Sequence, residues 1–267
     1  MGKKRFFDDR LKYLSFIQNT SEKRAISEQL APHIASMEQN RTFLRVLDAG
    51  TGDGTVKSNV IKTFHKYHPY TSLLITGKEI SYEDLKNTLE KMPDRFVEHP
   101  NLLVTMTNVK FAELGHIESS NKIKGKNVKS YNLVLKHDNS FDFHGQINKL
   151  NTFIKKNWGI EIDNKSRTSY ANPCIIRIYR EDHKRYIEPF IDNDYKNNNY
   201  DLIIASQAYR AASEVKTKVN NVIAPLMRLL NKSGKLLVTH SCGGDTVEKI
   251  LKVAWKDKNP FPNKAKD

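Results

Sequence analysis

Cysteine is scarce in this sequence, which contains two, Cys174 and Cys242, among 267 residues. Two thiols form neither a disulfide framework nor a multi-cysteine zinc site, so both of these classes are excluded. Long apolar runs are lacking as well, and no stretch reaches the ~20 apolar residues that a membrane helix requires. The charged start, Met1–Arg10, has no apolar signal core. We therefore expect a cytoplasmic protein that has no membrane partner.

Acidic residues are outnumbered, since 44 Lys and Arg face 30 Asp and Glu and give a net charge of +14. A basic chain suggests a nucleic-acid partner. However, the excess is mostly lysine, is spread along the chain with abundant asparagine, and lacks an Arg-rich helix or a repeated basic–aromatic alternation. Joint enrichment in lysine and asparagine also arises from an AT-rich genome. Nucleic acid is therefore the minority hypothesis for the partner.

Short apolar runs alternate with segments of helical periodicity in two parts of the chain. Strands that alternate with helices predict a parallel sheet. The fold class is therefore α/β, a Rossmann-like, mostly parallel sheet with flanking helices. The predicted core strands are 43–47, 72–76, 102–106, 200–205 and 234–239, and the predicted helices are two within 10–38, then 56–64, 82–92, one that ends at 230, and 245–255.

The alternation stops between residues 109 and 198, a region rich in Asn, Lys and Asp. It holds two strand-like runs, Tyr131–Leu135 and Ile175–Tyr179, and one amphipathic helix from Ile147 to Trp158. Connections in compact domains are typically about 4–6 residues long, so this region is too long for a bare loop. The predicted division is N-terminal helices over 1–42, a cofactor-binding core over 43–108 and 199–267, and an inserted substrate or lid subdomain over 109–198, between strands three and four.

The first predicted strand ends in the turn Asp48-Ala49-Gly50-Thr51-Gly52-Asp53-Gly54. Glycines let the backbone approach a ligand and adopt positive φ, and the helix that follows directs its free N–H groups at the same place. Glu79 follows the second strand, 25 residues after Gly54, near the ~20-residue offset of acids that bind ribose hydroxyls in βαβ units. The two features together predict a site for an adenosine cofactor.

Four segments resemble motifs of the class I S-adenosylmethionine (SAM) dependent methyltransferases. Leu47–Gly54 resembles their first motif and Ile75–Ser81 their second. Tyr200–Ser206 is similar to the fourth-strand motif and Leu226–Val238 to the helix, turn and strand after it, although Ser233 stands where the family often has a second glycine. The resemblance implies SAM as the cofactor. It covers roughly 43–108 and 200–245, and therefore leaves the acceptor unnamed.

The resemblance also implies roles for individual residues. Glu79 would bind the ribose hydroxyls, and Asp48 would lie near the amino-acid end of the cofactor. Thr107 or Asn108 would approach the adenine, at a position where family patterns often have Asp. The predicted cofactor site consists of Asp48, Gly50, Thr51, Gly52, Gly54, Glu79, Thr107, Asn108, Ser206 and Gln207.

A nicotinamide-binding turn is an alternative interpretation of the glycines. That motif has glycine at the sixth position counted from Gly50, where this sequence has Thr55. The spacing is thus GxGxG rather than GxGxxG. An acid two residues before the first glycine, here Asp48, also favours SAM.

Methyl transfer from a sulfonium needs an aligned acceptor and leaves no obligatory catalytic signature. His240, after the fifth core strand, is the candidate base, and Tyr209, after the fourth, is the candidate for stacking on the acceptor. A hydrogen-bonded structural histidine and a packed ring are the alternatives. The segment His137–His144 contains two His and two Asp, but a solvated loop explains it better than a metal site, so we predict no metal.

The leading functional hypothesis is a SAM-dependent methyltransferase of a small-molecule acceptor. An RNA or protein methyltransferase is the second, although Ser206–Tyr209 replaces the Asn-Pro-Pro-aromatic motif used for base or glutamine nitrogens. The third is a SAM-fold protein that only binds a partner. Five core strands instead of the family's seven leave the fifth strand with an open edge. We therefore also expect a homodimer, marginal solubility, or an insertion strand such as Ile175–Tyr179 in that gap.

Overall fold

The computed structural model describes residues 21–39, 41–117, 121–162, 168–191, 199–209, 214–239 and 253. The predictions on His240, Cys242, the first N-terminal helix and most of the helix over 245–255 fall outside these residues. The helices are α1 (Glu22–Ala35), α2 (Thr55–Tyr67), α3 (Tyr82–Glu90), α4 (Pro93–Glu98), α5 (Ser140–Asn148), α6 (Leu150–Asn157), α7 (Lys184–Ile187), α8 (Val215–Lys218) and α9 (Ala224–Met227). A π-helical turn (Val219–Ile223) joins α8 to α9, and 3₁₀ turns span Phe111–His116 and Glu188–Phe190.

The strands are β1 (Phe43–Asp48), β2 (Ser72–Lys78), β3 (Leu102–Thr107), β4 (Lys122–Ile123), β5 (Lys126–Asn127), β6 (Lys129–Leu135), β7 (Ile160–Ile162), β8 (Thr168–Tyr170), β9 (Cys174–Arg180), β10 (Tyr200–Ser206) and β11 (Leu230–Thr239). Seven of them form one sheet in the order β11-β10-β1-β2-β3-β9-β6. β9 is antiparallel to β3, and the other neighbouring pairs are parallel. The predicted α/β fold with a mostly parallel sheet is thereby confirmed.

The region 109–198 supplies two strands of this sheet, β6 and β9. Both strand-like runs are confirmed, while the single helix expected from Ile147 to Trp158 is divided between α5 and α6. β9 pairs with β3, so the expectation that it lies beside the fifth core strand, β11, is wrong. β11 lies at the opposite edge of the sheet, separated from β3 by β2, β1 and β10. Among the described residues β11 pairs with β10 alone, and the homodimer stays a prediction.

The antiparallel direction of β9 decides where the added strands begin. Thr107, the last residue of β3, pairs with Ile175, which pairs with Ser130 near the start of β6. The beginnings of β9 and β6 therefore lie where β1, β2 and β3 end, which we call the carboxyl edge. The hairpins β4–β5 and β7–β8 directly precede these beginnings, and an ion pair of 2.9 Å between Lys126 and Glu161 joins them.

Helices cover both faces of the sheet. The helices α1 to α6 pack on one face through an apolar core that includes Ile34, Phe64, Leu85, Phe96, Ile147 and Ile154. The 3₁₀ turn over Phe111–His116 and the helix α9 pack on the other face, through Leu114 and Leu226. Within the described part of the chain, no helix has the length and apolar character needed to cross a membrane.

Candidate functional site

The glycine turn between β1 and α2 has a backbone that favours glycine. Gly52 has φ +57° and Gly54 has φ +78°, both in the left-handed region. A Cβ at Gly54 would lie 2.7 Å from the Cα of Thr88 in α3, whereas a Cβ at Gly52 would have no neighbour within 4 Å. Gly54 thus lets α3 approach the turn, and Gly52 faces open space.

The carboxylate of Glu79 fastens the chain after β2 to this turn. Its Oε2 accepts the N–H of Gly52 at 2.8 Å, and its Oε1 accepts the N–H groups of Ile80 and Ser81 at 2.8 and 2.7 Å. Burial raises the pKa of Glu79, and the backbone donors oppose that rise. Since each carboxylate oxygen has two lone pairs, Oε2 can accept one further donor beside the turn.

Asp53 ties the turn to two helices. Its Oδ1 forms an ion pair of 2.5 Å with Lys23 of α1, and its carbonyl oxygen accepts from Lys91, just after α3, at 2.7 Å. Its Oδ1 also accepts the N–H of Thr55, the first residue of α2. Burial alone would raise the pKa of Asp53, but Lys23, the Thr55 N–H and Lys91 together lower it. Two lysines, Lys23 of α1 and Lys91 just after α3, thus hold the turn by their charge.

Asp48 and Lys57 form a buried pair beneath the turn, with 1% and 0% of their surfaces exposed. Burial raises the pKa of Asp48 to about 6, although Lys57, the Thr51 hydroxyl and the Gly50 N–H oppose the rise. Burial likewise lowers the pKa of Lys57 to about 8, against the attraction of Asp48. Oδ2 of Asp48 is buried, and its lone pairs accept no hydrogen bond from the described residues.

Gly77, inside β2, leaves the space that Lys57 occupies. A Cβ at Gly77 would lie 2.5 Å from Nζ of Lys57, 2.7 Å from Oγ1 of Thr51 and 2.8 Å from Sδ of Met106. In the sheet register Asp48, Gly77 and Met106 pair in one row across β1, β2 and β3. The lysine of α2 therefore reaches across the missing side chain of the middle strand.

Thr107 and Asn108 bind the start of β9. Thr107 Oγ1 donates to the carbonyl oxygen of Cys174 at 2.8 Å. Asn108 Nδ2 donates to the carbonyl oxygen of Asn172 at 2.9 Å, and its Oδ1 accepts the N–H of Cys174 at 2.8 Å. Both side chains are buried. Their polar groups thus join β9 to β3, and a contact with adenine stays a prediction.

The end of β10 approaches the glycine turn. A Cβ at Gly50 would lie 3.3 Å from the carbonyl oxygen of Ser206, so this glycine permits the approach. The chain then turns at Gln207, which has φ +52° and whose Nε2 donates to Oε1 of Glu22 at 2.8 Å. The structure therefore brings Ser206 and Gln207 beside the turn, and their contact with a cofactor stays a prediction.

Of the two candidate catalytic residues, the structure describes Tyr209 but not His240. Tyr209 packs against the core on the α9 face, and Nζ of Lys218 lies 5.5 Å from the centre of its ring. This position gives Tyr209 a packing role, while contact with an acceptor stays a prediction. His240 lies outside the described residues.

The segment His137–His144 forms the capped start of α5. Asn139 Oδ1 accepts the N–H of Asp142 at 3.0 Å, and its Nδ2 donates to Asp142 Oδ2 at 2.8 Å. In the described ranges no three His, Cys, Asp or Glu side chains come together as a metal site would require. Asp142 thus contributes to the helix start.

The predicted site residues do not include Lys57 and Gly77, although the sequence carries a signal for each. Lys57 falls on the apolar stripe of α2, where a charged residue indicates a buried charge. A glycine inside a strand indicates close approach by another group. Lys23 and Lys91 carry no such signal, because they reach the turn from helices that are distant in sequence.

No family model matches the sequence, and no curated protein matches it. Among solved structures, the chain is similar to MNMC2 from Aquifex aeolicus, with 11% sequence identity and a TM-score of 0.30. The match covers 84% of this chain and 50% of that chain, so this chain spans about half the length of the other. The function must therefore be inferred from the residues of the site.

Proposed function

We propose that the chain binds SAM at the glycine turn and transfers its methyl group to an acceptor at the carboxyl edge. The observation that carries the proposal is the hydrogen bond of 2.8 Å from the N–H of Gly52 to Oε2 of Glu79. It holds an acid from the end of the second strand against a turn of left-handed glycines, which suits an adenosine cofactor. The resemblance of both segments to methyltransferase motifs supports SAM over a nicotinamide cofactor.

The residues of the site fit the parts of SAM. Glu79 has a lone pair on Oε2 for a ribose hydroxyl, Gly52 leaves open space beside the backbone, and Asp48 offers Oδ2 to the ammonium group of the methionine moiety. Charge-assisted hydrogen bonds of this kind contribute about 1.5–3 kcal/mol each. When bound, SAM supplies a methyl group that its sulfonium sulfur has already activated.

The chain itself contributes alignment. Holding two reactants in the correct orientation lowers the barrier by about 7–11 kcal/mol, and Glu79, Lys23 and Lys91 fix the turn for that purpose. A base is needed only for an acceptor that must lose a proton. We propose His240 as the residue to test as that base and Tyr209 as the residue to test for contact with the acceptor.

Two classes of acceptor suit the carboxyl edge. The sequence favours a small molecule covered by residues 109–198, and the two hairpins β4–β5 and β7–β8 at this edge support such a cover. The exposed lysines Lys129, Lys149 and Lys156, which line a groove beside the start of β6, favour a polyanionic acceptor.

Calorimetric titration with SAM and with its demethylated product tests the cofactor. Gly52→Val should abolish binding, because a β-branched residue resists φ +57° and fills the open space. Glu79→Ala should weaken binding about 10-fold or more, because it removes the acceptor for the ribose and the anchor of the turn. Glu83→Ala, at an exposed acid on α3, is the matched control. Wild-type affinity in both site variants would overturn the assignment.

The other functional classes give different results in the same experiment. A folded wild-type protein that binds neither SAM nor its product would point to the partner-binding alternative. Binding of NAD in place of SAM would point to a nucleotide enzyme. If SAM binds, an acceptor screen with labelled methyl donor then tests the transfer itself.

A further inference from the structure

A groove of about 680 Å³ lies between the start of β6 and the helix α6. Three exposed lysines line it. Lys129 belongs to β6, Lys149 directly precedes α6, and Lys156 lies in α6. No acidic residue is among the described residues that line the groove. The groove thus concentrates part of the chain's +14 net charge at one place, although the sequence spreads lysine widely.

Two aromatic rings are among the residues that line this groove. The centroids of Tyr131 and Phe153 lie 5.4 Å apart with an angle of 59° between the rings. Tyr131 is 38% exposed, so one ring of the pair is open to solvent. Aromatic rings beside cationic side chains are the arrangement that binds single-stranded nucleic acid, because bases stack on the rings while the cations meet the phosphates.

The groove lies on the same edge of the sheet as the glycine turn. Tyr131 pairs with Ile176, Ile176 with Met106, and Met106 with Gly77, which lies beside Asp48 in the same row. Residues paired in this way point to the same face of a sheet. Four strand spacings of about 4.8 Å separate β6 from β1, a distance of about 19 Å. A stacked strand of about six nucleotides, at ~3.4 Å each, spans it.

We propose that this groove binds single-stranded nucleic acid and directs one of its nucleotides to the glycine turn as the methyl acceptor. The phosphates contact Lys129, Lys149 and Lys156, and a base stacks on Tyr131. The delivery of an acceptor rests on the proposed methyltransferase function, whereas the binding of the strand does not.

Fluorescence anisotropy with a labelled 12-nucleotide oligouridine, in parallel with oligothymidine of the same length, tests the binding. The groove variant Lys129→Ala/Lys149→Ala/Lys156→Ala removes three charges. The matched control Lys155→Ala/Lys216→Ala/Lys232→Ala removes three exposed lysines that do not line the groove. Thermal unfolding confirms that both variants fold.

We expect the groove variant to lose far more affinity than the control. The slope of log affinity against log salt concentration should also become shallower by about 2, since each lost phosphate contact accounts for about 0.7. Tyr131→Ala should weaken binding about 5- to 100-fold and Tyr131→Phe should restore most of it, because stacking needs the ring alone. Tighter binding of oligouridine would identify RNA as the natural strand, and tighter binding of oligothymidine would identify DNA.

Equal losses in the groove variant and the control would overturn the proposal, since general charge would then account for the binding. So would full affinity in Tyr131→Ala. A protein that binds the oligonucleotide through the groove but does not bind SAM disproves the proposed function alone. A protein that binds SAM but no oligonucleotide disproves the groove alone and leaves a small-molecule acceptor.

Discussion

The ammonium of Lys57 lies 3.3 Å from the sulfur of Met106, across the position where Gly77 has no side chain. A charged side chain is therefore enclosed between a helix and three strands, and the carboxylate of Asp48 is its counter-charge. Burial opposes the charged form of both groups, so each depends on the other to remain ionised.

Removal of one member of this pair should destabilise the fold strongly. Lys57→Met and Asp48→Asn should each lower the free energy of unfolding by about 3–5 kcal/mol, and the double variant should be much less destabilised than the sum. Urea denaturation of all four proteins measures the coupling. The exposed pair of Lys184 and Glu188, 2.8 Å apart, is the matched control, and its coupling should be far smaller because solvent screens the two charges. Equal coupling in the two cycles would contradict the interpretation.

Gly77→Ala should displace Lys57 and disturb the cofactor site. Its Cβ would lie 2.5 Å from the ammonium, so the lysine, Thr51 or Met106 must move. We expect a loss of at least 1–3 kcal/mol in unfolding free energy together with weaker binding of SAM. Gly145→Ala, in α5, has no neighbour within 4 Å of its Cβ and is the control; it should stabilise the protein by about 0.5–1 kcal/mol. An unchanged stability of Gly77→Ala would show that the site adapts.

His99 is a neutral histidine in the folded protein. Its Nε2 lies 3.0 Å from the carbonyl oxygen of Thr71, and its Nδ1 lies 3.2 Å from Nδ1 of His65. Burial first, and then the charges of His65, His183 and His68, lower the pKa of His99 to about 4, although the Thr71 bond opposes this. Between pH 6.5 and 4 the unfolded chain therefore binds more protons at this residue than the folded chain, and its contribution to stability falls as the pH falls.

The difference in unfolding free energy between the wild type and His99→Gln should show this dependence. As the pH falls from about 6.5 to about 4, the advantage of the wild type should shrink by up to about 1.4 kcal/mol per pH unit. Urea denaturation at several pH values measures it. A difference for His99→Gln that stays constant over this pH range would show that His99 becomes protonated in the fold as readily as in the unfolded chain.

The two hairpins at the carboxyl edge should become more ordered when the site is filled. Because β4–β5 and β7–β8 are joined by the ion pair of Lys126 and Glu161, we expect them to respond together. Hydrogen exchange with and without the demethylated product of SAM should show slower exchange over 122–127, 160–162 and 168–170. Residues 68–71, at the opposite edge before β2, serve as the control. Unchanged hairpins at a product concentration that saturates calorimetric binding would argue against a lid.

The elements that could be predicted from the sequence are those whose pattern lies within a short segment of the chain. The core strands are apolar runs between polar turns, and the glycine turn with Glu79 shows a fixed spacing, so both could be predicted. The partner of β9 could not, because its pairing with β3 joins residues that are about 70 positions apart, as Thr107 and Ile175 are. The π-helical turn also escaped prediction; Pro225 follows it and has no N–H to donate to Asn221.

The partners of the polar site residues were the other part that could not be predicted. Thr107 and Asn108 match the family position for adenine contact, which stays a prediction, and in the structure their polar groups bind the start of β9. That outcome depends on a strand from the inserted region, which the resemblance does not cover. Lys57 gave a signal as a charge on an apolar stripe, but its partner Asp48 becomes evident only when the strands are aligned.

The order of the strands in the sheet has a consequence for synthesis on the ribosome. β1, β2, β3, β6 and β9 are contiguous in the sheet, and the last of them ends at Arg180, before β10 begins at Tyr200. Since the N-terminal part of a nascent chain emerges first, these five strands can pair while β10 and β11 are still being translated. During that interval β1 has an apolar edge with no neighbour, which is a site for aggregation. The β10 side of β1 is therefore the surface of the nascent chain that a chaperone would have to protect.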